Sequence, residues 1–234
     1  MALPSLNATP SYELTVPSTG KKFNFRPFLV KEQKILMLAY ESQDKKQIIN
    51  AMLETIKSCI NDIDTRILTT SDVDYIFTQL RAKSVGEKIE LNIPCDECQT
   101  YNPLYVDVEK AKVSGVSKEK IVELNEDISV KLRYPTYYDF MNNIDTEGKS
   151  QTETIMDIII SCIDSIMTQD ENISAKDESR EELEKFIESM NSKQFEMVSE
   201  FVQNIPQLQY LTEFNCVNCG HHQEVNLQGL DDFF

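Results

Sequence analysis

Apolar side chains recur every three or four residues in several stretches of this chain, which is the spacing of one face of a helix. The strongest stretches are Ile48 to Ile63 and Thr152 to Met167. Ser71 and Ser192 each precede such a stretch and are predicted as N-caps. The predicted helices begin at about Lys31, Ile48, Ser71, Thr136, Thr152, Arg180 and Ser192.

Four pairs of short strands interrupt these helices. Each pair has β-branched or alternating apolar residues on both sides of a polar turn, as β-hairpins do. The hairpins are predicted at about residues 12–28, 87–108, 121–134 and 210–227. Thr168 to Glu178 is acidic and is expected to be flexible. The mixture of hairpins and helices predicts an α+β fold.

The order of these elements occurs twice along the chain. Ser71 precedes Cys95 by 24 residues, and Ser192 precedes Cys216 by the same distance. Apolar positions around both segments match at an offset of 121, and upstream helices match at an offset of 103. We interpret this pattern as an internal duplication. Chance similarity is the alternative, because few of the matched residues are identical.

The duplication divides the chain into four parts. The boundaries are a flexible N-terminal lead at 1–10, a first repeat at 11–109, a connector at 110–118 and a second repeat at 119–234. Each repeat is predicted to contain a hairpin, a group of helices and a cysteine hairpin. The second repeat also contains an acidic insertion near residues 168–186, which accounts for the change in offset, and a C-terminal tail.

The composition favours a soluble intracellular protein with protein partners. The 234 residues are 41% hydrophobic and 26% charged, and no apolar run reaches the roughly 18 residues of a membrane span. The N-terminus lacks the pattern of a signal peptide. A net charge of -16 argues against a nucleic-acid surface, which needs clustered Lys and Arg. No phosphate-binding glycine loop is present.

Two C-x-x-C motifs carry the candidate chemistry. Cys95 and Cys98 lie at the predicted tip of one hairpin, and Cys216 and Cys219 lie at the tip of another. Such hairpin tips are typical of zinc knuckles, and two of them supply four thiolates for one tetrahedral Zn²⁺. We therefore predict that the knuckles pair in a zinc-ribbon-like unit and that the zinc is structural, clamping the two repeats together.

Other interpretations of the cysteines remain open. A redox C-x-x-C normally lies at a helix N-terminus, whereas both motifs here lie between predicted strands. Separate metal sites, with His221 or His222 assisting the second motif, and motifs without a metal are further alternatives. Cys59 and Cys162 fall on apolar helix faces and are predicted to be core residues. No catalytic set is apparent, so we do not expect an enzyme.

The C-terminal tail is a candidate partner-binding segment. It contains Leu230 and ends in Phe233 and Phe234, directly behind two aspartates. An exposed apolar tip of this kind suits a hook for another protein. The alternative is that these side chains fold back onto their own domain.

A family resemblance adds to these observations. The segment from Phe23 to Ala39 contains the pattern F-x-P-F-x-x-x-E-x-K-x-L and resembles the opening of baseplate hub proteins of T4-like bacteriophages. The Ser71-Asp72-Val73-Asp74 helix before the first C-x-x-C, and the closing Cys216-x-x-Cys219-Gly220, are also similar to that family. The resemblance runs from about residue 12 to the end. Gln99 departs from it, because a knuckle usually has glycine there.

The resemblance implies a non-enzymatic protein of the phage tail baseplate hub, either a hub subunit or a chaperone-like hub assembly factor. Its partners would be other hub proteins or the tape-measure protein. It would act in the host cell cytoplasm during assembly, and it would remain in the virion if it is a subunit. The alternatives are an intracellular zinc-ribbon adaptor that acts on a host partner and, less favoured, a thiol oxidoreductase.

Overall fold

The computed structural model describes residues 9–115, 119–139 and 150–233, and the chain has an α+β fold as predicted. The strands are β1 (Tyr12–Thr15), β2 (Lys22–Phe25), β3 (Lys88–Pro94), β4 (Tyr101–Asp107), β5 (Lys112–Val113), β6 (Lys120–Glu123), β7 (Ser129–Leu132), β8 (Ile163–Met167), β9 (Asn172–Ser174), β10 (Leu208–Asn215) and β11 (His222–Gln228). The helices are α1 (Val30–Ser42), α2 (Lys45–Cys59), α3 (Thr70–Ser84), α4 (Gln151–Cys162), α5 (Arg180–Glu188) and α6 (Ser192–Gln203).

Polar caps explain where several helices begin. Asp44 accepts hydrogen bonds from the backbone N–H groups of Lys46 and Gln47 at the start of α2. Ser150 and Ser179 form capping boxes with the glutamates three residues later, at the starts of α4 and α5. Each cap satisfies amide donors that a helix terminus leaves without an intrahelical partner.

Contacts divide the described chain into two compact units. The first unit contains residues up to 65, residues 71–114 and the chain from 207 onward. It includes the β1–β2 and β3–β4 hairpins, the first three helices, and a sheet in the order β11-β10-β5. One of its apolar clusters contains Ala82, Ile89, Leu104, Val106, Val108, Ala111, Leu208, Leu227 and Phe233.

The second unit contains residues 66–70 and 115–206. Its antiparallel sheet has the order β6-β7-β8-β9, and its helices are α4, α5 and α6. Its core includes Val122, Val130, Leu132, Ile159, Ile160, Cys162, Ile163, Ile166, Leu183, Ile187, Val198 and Phe201. Residues 115–206 thus form most of a unit that interrupts the first one in sequence.

Two predicted helices are too long. The helix expected to continue to Ile63 ends at Cys59, and Ile60 forms an isolated bridge with Phe25. The helix expected to end at Met167 stops at Cys162, and Ile163–Met167 continues as strand β8. Ile166 of β8 pairs with Val130 of β7. Isoleucine is β-branched, and its spacing here fits either a helix or a strand. Pairing with β7 therefore determines that this segment is a strand. The acidic segment after it also contains a strand, β9, which pairs with β8.

Smaller differences concern the helix starts. Asn191, not Ser192, caps α6, accepting a hydrogen bond from the Gln194 backbone N–H. The third helix starts at Thr70, so Ser71 lies inside its first turn. The short helix predicted at 136–143 is present at residues 137–139, and the rest of it lies outside the described residues. The predicted N-terminal lead lies mostly outside them as well.

A half-buried arginine pairs with an acid in each unit. The backbone N–H of Arg26 donates to the Cys59 carbonyl oxygen at 3.1 Å, and its guanidinium donates to Glu32 at 2.8 Å. Glu32 in turn accepts from the Leu29 backbone N–H at 2.8 Å. This network ties the end of the β1–β2 hairpin to the end of α2 and the start of α1.

The second unit has the same arrangement around Arg133. Its backbone N–H donates to the Cys162 carbonyl oxygen at 2.8 Å, and its guanidinium pairs with both carboxylate oxygens of Asp139. Asp139 accepts from the Thr136 backbone N–H at 2.8 Å. Each acid follows its arginine by six residues. The two networks therefore make corresponding contacts, with the arginines 107 residues apart and the cysteines 103 residues apart.

In the part of the chain that the structure describes, no helix has the length and apolar character needed to cross a membrane.

Candidate metal centre

The two cysteine hairpins have matching tips. The Cys95 backbone N–H donates to the Thr100 carbonyl at 2.9 Å, and the Cys216 N–H donates to the His221 carbonyl at 2.8 Å. A second pair of backbone bonds, from Gln99 and Gly220, returns to the carbonyls of these cysteines at 2.8 and 2.9 Å. Corresponding residues differ by 121 in number. Both C-x-x-C segments thus form the same tight turn between antiparallel strands.

This turn requires a left-handed residue at its last position. Gln99 has a φ of 58° and Gly220 has a φ of 73°. Glycine adopts this conformation at no steric cost, whereas a side chain with a Cβ does not. Gln99 nevertheless keeps the geometry of its glycine counterpart. Its side-chain amide donates to the Asp96 carbonyl oxygen at 3.2 Å, which provides a local contact for the turn.

The four cysteine sulfurs converge in the first unit. Cys95 Sγ lies 3.7 Å from Cys219 Sγ, and Cys98 Sγ lies 3.5 Å from Cys216 Sγ. All four sulfurs lie within 4.8 Å of one another. A tetrahedral Zn²⁺ with bonds of about 2.3 Å would separate its sulfurs by about 3.8 Å. The spacing of the cluster therefore fits a zinc ion at its centre.

Two buried amide side chains connect the hairpins beside the cluster. The Asp96 backbone N–H donates to Gln223 Oε1 at 3.0 Å, and the Val217 N–H donates to Asn102 Oδ1 at 2.9 Å. Asn102 is 2% exposed and Gln223 is 8% exposed. Each hairpin thus gives the other the same contact, the reciprocity of an approximate two-fold axis. These bonds fix the position of one C-x-x-C relative to the other.

The thiols of the cluster are electrostatically unequal. Hydrogen bonding from Thr100, and then from Asn218, lowers the pKa of Cys98 to about 5. The backbone N–H of Cys219 lowers the pKa of Cys216. The backbone N–H of His221 favours the Cys219 thiolate, but desolvation and the neighbouring sulfurs outweigh it and raise the pKa of Cys219 to about 12. Crowded thiolates repel one another, and a divalent cation relieves that repulsion.

The donor set suits a structural rather than a catalytic metal. Four cysteine sulfurs complete a tetrahedral zinc site and leave no position for water or substrate. Soft thiolate ligands also favour zinc over calcium or magnesium. Cys95 and Cys216 are buried, and Cys219 is exposed at the surface. Both motifs lie at hairpin tips, away from the helix N-terminus at which a redox C-x-x-C is usually found.

His222 lies apart from the cysteine cluster. Its Nδ1 is 3.2 Å from Asn215 Oδ1, and its ring is grouped with the exposed carboxylates of Glu213 and Glu224. The described cysteine cluster contains no histidine. An imidazole ligand for the second motif, which was one sequence-based alternative, is therefore not present in this arrangement.

The other two cysteines are core residues. Cys59 and Cys162 are buried at the ends of α2 and α4. Burial raises the pKa of Cys59 to about 11 and that of Cys162 to about 12. Both side chains are therefore neutral thiols at physiological pH, which suits packing and not nucleophilic chemistry.

The predicted C-terminal hook is placed in the interior. Leu230 is 9% exposed and Phe233 is 1% exposed, with Phe233 packed in the apolar cluster of the first unit. The Phe233 backbone N–H donates to the Leu230 carbonyl oxygen at 2.9 Å. Phe234 lies outside the described residues. This packing corresponds to the alternative in which the tail folds back onto its own domain.

Asn102 and Gln223 were not among the residues predicted from the sequence. Both occupy inward-facing positions on strands that are otherwise apolar on that face. They also differ by 121 in number, the offset that relates the cysteines. A polar residue at the same inward position in both hairpins was therefore an available signal for a buried hydrogen-bonding role.

Comparisons with known proteins agree with the sequence resemblance. Residues 9–234 match the family model of the T4 bacteriophage base plate protein. The chain is 25% identical over 223 residues to the baseplate hub assembly protein gp26 of Enterobacteria phage T4. The aligned residues cover 95% of this chain and 97% of that protein. No solved structure matches the chain. The chain therefore belongs to the T4 bacteriophage base plate protein family.

Proposed function

We propose that this protein is a non-enzymatic component or assembly factor of the phage tail baseplate hub. The match of the family model over residues 9–234 carries this proposal. The similar T4 protein is named as a baseplate hub assembly protein. The protein would bind other hub proteins or the tape-measure protein in the cytoplasm of the host. A subunit would then remain in the virion, whereas an assembly factor would not.

In this proposal, Cys95, Cys98, Cys216 and Cys219 hold one structural Zn²⁺. The 3.5 and 3.7 Å sulfur contacts and the reciprocal amide bonds support a shared site. The two knuckles would be the equivalent ends of two duplicated repeats, at 11–109 and 119–234. The repeated Arg26 and Arg133 networks support that duplication. Because both knuckles pack in the first unit, the zinc would join the chain segments on either side of residues 115–206.

The C-terminal residues Leu230, Phe233 and Phe234 remain a predicted partner-binding segment. Leu230 and Phe233 are buried, so a partner could contact them only if the segment left the core of the first unit. An Asp232→Ala variant would remove the 2.7 Å bond from the Gln228 backbone N–H to Asp232 Oδ2 and loosen the segment. Stronger partner binding by this variant would support the hook, and unchanged binding would argue against it.

Purification of the tagged protein from infected cells tests the binding function. We expect other baseplate hub proteins or the tape-measure protein to co-purify, and host proteins not to be enriched. A quantitative protein analysis of purified virions then separates the two roles. Presence at a fixed copy number indicates a subunit, and absence indicates an assembly factor. Enrichment of a host partner alone would contradict the proposal and favour an adaptor that acts on the host.

Single cysteine variants test the shared zinc. Cys95→Ser and Cys216→Ser should each abolish tight binding of one zinc per chain and should lower the unfolding temperature by similar amounts. Cys162→Ala provides a control, since this buried thiol lies outside the cluster and its loss should leave the zinc content at one per chain. Retention of zinc by either serine variant would contradict a shared four-cysteine site.

A further inference from the structure

The first helix presents an apolar surface to solvent. Val30 is 79% exposed, Met37 is 56% exposed and Leu38 is 55% exposed. A surface helix normally places polar side chains on this face. The opposite side of α1 packs into the protein through Glu32, Leu36 and Ala39. The large exposed side chains on or next to α1 are Leu29, Val30, Ile35, Met37, Leu38 and Tyr40.

Helical spacing gathers Met37 and Leu38 with two charges on one stripe, and Val30 lies on the same side at the N-terminal end of α1. Successive residues turn by about 100°, so Lys34, Met37, Leu38 and Glu41 fall within roughly a quarter of the helix circumference. All four are exposed. We call them the α1 stripe. Its pattern along the chain is one positive charge, two adjacent apolar residues and one negative charge.

This pattern is complementary to itself when two copies of the helix run antiparallel. A two-fold axis between Met37 and Leu38 places Met37 against the Met37 of the other copy, and Leu38 against its Leu38. Lys34 and Glu41 lie 3.5 residues from that axis on opposite sides, about 5 Å along the helix. Lys34 of each copy therefore lies at the same height as Glu41 of the other. In a parallel pair, the two Lys34 side chains would face each other and repel.

We propose that the α1 stripe is a homodimer interface, in which a second copy of this chain packs antiparallel on α1. Contacts between the two Met37 side chains and between the two Leu38 side chains supply the central apolar burial, and two Lys34–Glu41 pairs fix register and direction. The net charge of -16 on each copy opposes association. Salt at physiological strength screens that repulsion beyond about 8 Å, so the contact at the helix decides the outcome. The proposal is independent of binding to hub proteins.

One helix face gives a small interface, so the dimer should be weak and concentration-dependent. Its buried area falls in the class below about 1,200 Å², which is typical of transient association. Sedimentation velocity of the full chain over about a hundredfold range of concentration should show a monomer–dimer equilibrium. Leu38→Asp should abolish the dimer, because it places two acids at the centre of the interface. A thermal melt of this variant verifies that it remains folded.

A charge exchange tests the proposed register. Lys34→Glu and Glu41→Lys should each weaken dimerisation by about tenfold, because each creates two like-charge contacts. The double variant K34E/E41K should restore the wild-type equilibrium. Lys57→Glu, which changes an exposed lysine on α2 by the same charge, should have no effect. A wild-type chain that stays monomeric throughout, a dimer that survives Leu38→Asp, or a double variant that fails to recover would each overturn the proposal.

Discussion

Gln99 and Gly220 occupy corresponding positions in the two knuckles, and both are left-handed. Sequence comparison within the chain identified the cysteines and the unusual glutamine, but not the conformation of that glutamine. The pairing of the strands on either side fixes the turn, so Gln99 adopts a backbone geometry that its own side chain disfavours. The hairpin geometry therefore overrides the backbone conformational preference of Gln99.

We therefore predict that Gln99→Gly is tolerated and slightly stabilising, by up to about 1 kcal/mol. Removal of the Cβ relieves the left-handed conformation, although glycine also makes the unfolded chain more flexible. Gly220→Ala is the matched control and should destabilise the protein by about 1 kcal/mol. Urea unfolding of the zinc-loaded protein measures both changes. A clearly destabilised Gln99→Gly variant would show that the bond from its side chain to Asp96 outweighs backbone strain.

Asn102 and Gln223 are expected to strengthen zinc binding by holding the backbone N–H groups of Val217 and Asp96, which lie within the two C-x-x-C motifs. Loss of either amide, in Asn102→Ala or Gln223→Ala, releases one hairpin tip from the other and should lower zinc affinity by about 10- to 100-fold. Competition with a chromophoric chelator measures the affinity. The Co²⁺-loaded protein should keep the absorption spectrum of a four-thiolate site, because the ligands are unchanged. Asn92→Ala, on the exposed face of β3, is the control. Equal zinc affinity in all three variants would contradict this role.

At the scale of elements, the helices and hairpins were largely predictable, and the end of α4 was not. Ile163 and Ile166 continue the apolar spacing of the helix, so the pattern alone extends it to Met167. In the folded chain these residues pair with Leu132 and Val130 of β7. The partner strand lies about 30 residues earlier in the sequence, and single-sequence periodicity contains no information about such a long-range contact.

The arginine networks give a prediction at the same scale. Arg26→Ala leaves Glu32, whose side chain is 4% exposed, with only the exposed Lys31 as a charged partner, at 3.4 Å. The variant should lower the free energy of unfolding by about 2–4 kcal/mol at neutral pH. Arg133→Ala should have a similar effect through Asp139, whose side chain is 17% exposed. Lys22→Ala is the control, because its pair with Glu13 is largely exposed and should contribute nothing measurable. Urea unfolding provides the measurement.

The pH dependence of these variants distinguishes a charge effect from lost packing. Burial is the largest influence on Glu32 and opposes its ionisation. The hydrogen bond and charge of Arg26, together with backbone N–H groups including that of Leu29, outweigh burial, so the pKa of Glu32 lies below its usual value. The pair thus stabilises the protein above the pKa of the unfolded state, and this contribution is lost as the pH falls through the folded pKa. The cost of Arg26→Ala should therefore shrink toward about pH 4. A cost that does not change with pH would indicate lost packing instead.

At the scale of the whole molecule, the sequence predicted two repeats, and the contacts group the chain segments differently. The repeat pattern places the second cysteine hairpin with residues 119–234. Contacts group it with the first hairpin, in the unit that also contains residues up to 65. Offsets within a chain report similarity between segments, whereas grouping depends on which surfaces pack together. The reciprocal contacts of Asn102 and Gln223 are an example of such packing.

The path of the chain gives a last prediction about this grouping. Strand β5 pairs with β10, and the Ser114 backbone N–H donates to the Gln207 carbonyl oxygen at 2.8 Å. The chain thus leaves the first unit and returns to it at neighbouring positions. Replacement of residues 115–206 by a short Gly/Ser linker should therefore leave a folded protein that binds one zinc, because the closing loop is short. Zinc titration and the thermal unfolding of this variant measure the result.

The same deletion with Cys216→Ser is the control and should not retain zinc. If the deleted chain is unfolded at saturating zinc, the segments on either side of residues 115–206 do not form an independent unit, and the cysteine cluster depends on the second unit for its assembly.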